Sequence, residues 1–110
     1  MIANEHLLVF GYDGEINLTK EEVKNFLFEL AKLINLHIIN GPVVEEGTAK
    51  PGLTGMIIIE ESHIAVHTFT NVEPSEFWLD ILSCKQFDKQ KVIEFFQNKF
   101  NFKKIDIKHK

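Results

Sequence analysis

The chain is short of the residues that cross-link a fold. It has one cysteine in 110 residues, Cys84, which excludes an internal disulfide and with it any cysteine-rich metal site. No apolar run approaches the ~20 residues a membrane-crossing helix requires. There is no internal repeat and no low-complexity segment. Basic charge is also scarce: the formal net charge is −4, which argues against nucleic acid as a general partner, because phosphate binding needs clustered Lys and Arg. The opening Met1-Ile2-Ala3-Asn4-Glu5 lacks the basic start and apolar core of a signal peptide, so the expected compartment is the cytosol, with no membrane partner.

What is present is an ordinary globular balance, 45% hydrophobic and 25% charged residues, at a length that fits one domain with a single core. His6 to Tyr12 reads as a first strand closed by the Gly11/Gly14 turn. Thr19, with Glu22 three residues on, fits a capping box. It opens a helix whose Val23, Phe26, Leu27, Leu30, Ala31 and Ile34 form one buried stripe. His37 to Glu46 reads as a second strand interrupted or ended near Gly41-Pro42, and Glu46 to Pro51 as a polar connection. Glu76 to Ser83 is apolar nearly all round and is expected to be buried on both faces. Asp88 caps a second helix carrying Val92, Ile93, Phe96 and Phe100 inward. Phe102 to Ile107 makes a last strand, and the lysines there (Lys103, Lys104, Lys108, Lys110) are read as guards of a sheet edge. Together these predict an α+β fold, a two-layer α/β sandwich with a mainly antiparallel sheet and two helices on one face.

The centre of the sequence is Gly52 to Phe69, GLTGMIIIEESHIAVHTF. Two β-branched runs, Met56–Ile59 and Ile64–Val66, flank the polar Glu60-Glu61-Ser62-His63, a length suited to a tight reversal. A reversal centred on Glu61 and Ser62 sets Glu60 opposite His63, Met56 opposite His67 and Thr54 opposite Phe69. Thr54 and His67 then become diagonal neighbours on one face. Taken alone these residue types are ordinary in a turn. His63 and His67, four apart on a strand, stand roughly 13 Å from each other, too far to share one ion, and no metal is expected.

GLTG, EESHIAVHT and the LDILSC of Leu79 to Cys84, in this order and spacing, resemble the bacterial and archaeal S-adenosylmethionine decarboxylases. The match is dense from Gly52 to Cys84 and looser over most of the chain. The resemblance implies the same two-layer sandwich and a precursor that cuts itself between Glu61 and Ser62, giving chains 1–61 and 62–110. Ser62 then becomes a pyruvoyl group, the electron sink that pyridoxal phosphate, not expected here, supplies elsewhere. By resemblance Thr54 helps hold the processing intermediate, His67 takes the α-proton of Ser62, and Cys84 returns a proton to the decarboxylated carbon. A homodimer of processed protomers, with the pocket near the interface, is also implied.

The nucleoside-binding positions depart from that family's pattern, whose His-Thr-Trp-Pro-Glu is here His67-Thr68-Phe69-Thr70-Asn71. Thr48 stands where an aromatic shelf for adenine is usual, in a segment (Gly47-Thr48-Ala49-Lys50) without aromatics. Asn71 replaces the glutamate that would hold the ribose, leaving Phe69 and Glu73 as the substrate-binding candidates. Three readings follow: an S-adenosylmethionine decarboxylase of spermidine biosynthesis, a relative acting on arginine or ornithine (Glu60, Glu73, Glu76 and Asp80 would suit a basic substrate), or an uncleaved, non-catalytic partner subunit.

Overall fold

The computed structural model describes residues 4–49, 51–69 and 74–109. Lys50, Asn71, Glu73 and Lys110, singled out in the sequence, lie outside the described residues. Eight elements follow in order: β1 (Glu5–Gly14), α1 (Lys20–Leu33), β2 (Ile38–Glu46), β3 (Leu53–Ile59), β4 (Ser62–Phe69), β5 (Ser75–Ser83), α2 (Lys89–Lys99) and β6 (Phe102–His109). The strands form one sheet in the order β2-β3-β4-β5-β1-β6, antiparallel at every pairing. Both helices pack on one face, so the architecture is the predicted α+β sandwich.

Local chemistry sets the helix ends. Thr19 N–H donates to Glu22 Oε1 at 2.9 Å and Thr19 Oγ1 accepts from Glu22 N–H at 3.2 Å, a reciprocal cap that satisfies donors left open at a helix start. Asp88 Oδ1 likewise accepts from Lys91 N–H at 3.1 Å. Val23, Phe26, Leu27, Leu30 and Ala31 of α1 and Val92 and Phe96 of α2 are buried. Ile93 is half-buried, and Phe100 serves as the C-terminal cap of α2, its ring 4.7 Å from Phe77 between centroids.

Strand alternation turns Leu7, Val9, Ile57, Ile64, Val66, Phe77, Leu79 and Ile81 toward the helices. The opposite face of the sheet has no layer over it among the described residues. This corrects the expectation for β5: Trp78 is 37% exposed and Asp80 and Leu82 are half-buried, because the helices cover one face only. An apolar outward set reads the same in sequence whether or not a second layer covers it.

The two edges match their sequence. β2 runs through Gly41-Pro42, where its pairing to β3 shifts register, and proline's missing N–H is tolerated there because β2 is an outer strand. β6 is the other edge, with Lys103, Lys104 and Lys108 exposed.

Candidate active site

The β3–β4 hairpin turns on Glu60 and Glu61, one residue earlier than the sequence reading placed it. Ile59 pairs with Ser62, Met56 with Ala65 and Thr54 with His67. The cause is a distant anchor. Glu61 is buried, and its carboxylate accepts from the His37 N–H at 3.0 Å while its other oxygen lies 2.6 Å from His37 Nδ1. Glu60 N–H in turn donates to the His37 carbonyl at 2.9 Å. Moving the centre by one residue keeps the faces in step, so Thr54 and His67 still share a side and become direct partners instead of diagonal ones. Burial, the largest single influence on the Glu61 carboxyl, raises its pKa. Hydrogen bonds from the His37 ring and N–H and from its own backbone, with the His37 charge, outweigh that and hold it below the usual range.

Ser62 leaves this turn with φ 151°, a backbone region that side-chain-bearing residues avoid. Immediately before it, the Glu61 carbonyl accepts a 2.9 Å hydrogen bond from the Cys84 N–H. Pairing of Ser62 with Ser83 brings β5 to that place, and Ser83 Oγ bends the chain by bonding both the Lys85 N–H (3.0 Å) and its carbonyl (2.7 Å). The Cys84 side chain, one residue beyond β5, is exposed. The sequence pointed to Cys84 for its thiol; the contact of its N–H with the Glu61 carbonyl has no sequence signal, and neither does the grip of His37.

A second group sits toward the far end of β4. Thr54 Oγ1 is 3.2 Å from His67 Nδ1, which fixes the imidazole, and Trp78 meets both His67 (6.2 Å between centroids) and Phe69 (5.4 Å) edge to face. Thr54, His67 and Phe69 border a cleft of about 370 Å³ whose other wall is Gly47, Thr48, Ala49 and Gly52. Gly52 has φ 145°, and a Cβ there would come within 2.4 Å of the Thr68 carbonyl, so only glycine lets the loop close against β4.

The two groups do not meet within one chain. Ser62 and His67 are five residues apart on extended β4, about 16 Å at the usual strand rise, and alternation turns them to opposite faces. Two of the acidic residues suited to a basic substrate are already engaged. Asp80 lies 2.7 Å from His6 Nε2 and 3.8 Å from His63 Nε2, and Glu76 accepts from Trp78 Nε1–H at 3.0 Å.

Comparison with known proteins gives a consistent lineage. The S-adenosylmethionine decarboxylase proenzyme of Clostridium botulinum (strain Langeland / NCTC 10281 / Type F) is 40% identical over 58 residues, 52% of this chain and 48% of that protein. The proenzyme of the same name from Pyrococcus furiosus is 28% identical over 94 residues, 84% of this chain and 65% of that protein. The chain thus spans between about half and just under two thirds of the length of these curated relatives. The crystal structure of the adenosylmethionine decarboxylase from Aquifex aeolicus VF5 shares the fold, with a TM-score of 0.78, 22% identity and coverage of 97% of this chain and 88% of that one. A family profile described as S-adenosylmethionine decarboxylase matches residues 5–110, both strand-end groups included, and by that match the chain belongs to the S-adenosylmethionine decarboxylase family.

Proposed function

We propose that the chain is the precursor of a pyruvoyl-dependent S-adenosylmethionine decarboxylase serving polyamine synthesis, and that it cuts itself between Glu61 and Ser62. One observation carries the reading: the peptide ahead of Ser62 has its carbonyl on a backbone N–H and its serine in a strained conformation. Such strain costs about 1–3 kcal/mol and is relieved when the peptide opens. The residues present therefore fit a pyruvoyl group made in place.

Ser62 Oγ attacks the Glu61 carbonyl carbon, the C–N bond breaks, and an ester forms with a free amine on residue 62. The Cys84 N–H is placed to stabilise the oxyanion that precedes this. A base then removes the Ser62 α-proton and Glu61 leaves as a carboxylate. The dehydroalanine so formed tautomerises and takes up water, releasing ammonia and leaving the pyruvoyl cap on residues 62–110. Once formed, that group supplies an electron sink for loss of CO2 from a substrate amino acid. The exposed Cys84 thiol returns a proton to the substrate carbon. Phe69, on the same side of β4 as His67, offers its ring face to the adenine from a second copy, and Glu73 is assigned to the ribose from sequence alone.

His67 serves as the base only if it reaches Ser62 from a second copy, given their separation within one chain. A homodimer is supported by the uncovered sheet face, which carries His67 and exposes Ile39, Val43, Met56, Ile58 and Trp78, an apolar surface suited to a like surface. No observation favours arginine or ornithine, and two of the carboxylates they would need are occupied.

Denaturing intact mass tests the cut: two fragments split at Glu61/Ser62 are expected, and a single species of 12.7 kDa overturns it. CO2 release from carboxyl-labelled S-adenosylmethionine, against none from arginine or ornithine, tests the substrate.

A further inference from the structure

The His37 grip on the hairpin turn is not used by the chemistry above. We infer that His37 is a positioning residue for self-cleavage, holding Glu61 by its side chain so that the Glu61 carbonyl stays on the Cys84 N–H and within reach of Ser62; this rests on the processing reading just given.

His37 is built to be a fixed point. α1 ends with Asn35 in the left-handed region (φ 57°), with Asn35 N–H on the Lys32 carbonyl (3.2 Å) and Leu36 N–H on the Ala31 carbonyl (3.0 Å). This closure ties the helix end to its own last turn. Leu36 is buried, so the backbone entering His37 is pinned to the core. Lys85 Nζ reaches the Asn35 carbonyl at 3.2 Å, which ties the same segment to the chain just after Cys84. From that base His37 touches both residues of the turn: its carbonyl takes the Glu60 N–H, its N–H and ring take the Glu61 carboxylate.

The two ends of Glu61 are thus held by different elements. The loop after α1 holds the carboxylate, and the segment after β5 holds the carbonyl. With two points fixed, the residue cannot swivel its carbonyl away from the attacking hydroxyl, and the following residue is left with the φ it shows. His37 itself is 65% exposed on its side chain while Glu61 is 9% exposed, so the imidazole has little packing role to lose.

The test follows cleavage of newly translated chains in a cell-free system by mass, for wild type, H37A, H37N and H67A, with and without hydroxylamine, which opens esters and leaves amides. Thermal unfolding of each is measured in parallel. Wild type is expected to cut. H37A is expected to fold and to cut at least about tenfold more slowly, the scale of losing a charge-assisted hydrogen bond. Hydroxylamine should release fragments from H67A, where the ester accumulates, and not from H37A, where it never forms. H37N keeps a side-chain N–H near the Nδ1 position and should recover much of the rate. A folded H37A that cuts at the wild-type rate overturns the inference, as does one that accumulates a hydroxylamine-sensitive ester. Should H37A not fold, E61A takes its place, with slow cutting in support and wild-type cutting against. Wild type that stays whole overturns the processing reading itself, and this inference falls with it.

Discussion

Ser62 combines a hydroxyl with a backbone angle that only glycine holds comfortably, and the proposed self-cleavage would draw on both. Ser62→Ala removes the nucleophile, and S62A is expected to remain one chain of 12.7 kDa by denaturing mass. That uncut background isolates the neighbouring carboxylate. Glu61 has a folded-state pKa below its unfolded one, so its contribution to stability is full above the unfolded value and is lost as pH falls through the folded value. S62A is therefore expected to be more resistant to urea than S62A/E61Q at neutral pH. The difference should close as pH drops below the carboxylate range; a gap independent of pH would mean that the charge of Glu61 contributes nothing.

At the scale of elements, close packing sets the tolerances. A Cβ on Gly11 would lie 2.4 Å from Phe102 Cδ2 and 2.6 Å from its Cγ, so β1 and β6 approach only because that position has no side chain. Gly11→Ala is expected to cost about 1–3 kcal/mol in chemical denaturation and to speed amide exchange in β6. The Phe102 ring stacks on Phe96, which packs against Phe77, so the disturbance would reach the core. Elements specified by nearby residues were legible in the sequence. The caps at Thr19 and Asp88, the α1 stripe and the lysine-guarded edge each depend on neighbours a few positions away. The turn centre was not, because its anchor, His37, is 24 residues before Glu61. Nor was the exposure of Trp78 and Leu82, since their apolar character is the same under solvent as under a covering layer. Thr54 and His67 could be placed on one face because strand parity survives a one-residue shift of the turn.

For the molecule as a whole, the separation of Ser62 from His67 makes the number of copies a chemical question. Co-expression of S62A with H67A is expected to cut the H67A chain alone. In a mixed pair one composite site would hold an intact Ser62 and an intact His67. Each variant by itself should stay whole, and failure of the mixture to cut would place the base within a single chain. The two sheet edges disfavour association by sheet extension: β6 presents lysines and β2 is irregular at Gly41-Pro42. The strand order carries one more consequence. A break after Glu61 assigns β1, β2 and β3 to one fragment and β4, β5 and β6 to the other, yet β1 lies between β5 and β6 and β3 lies against β4. The halves are interleaved like clasped fingers, so scission would cost the molecule its covalent continuity and not its shape, and the fragments would travel together through native chromatography until denaturant parts them.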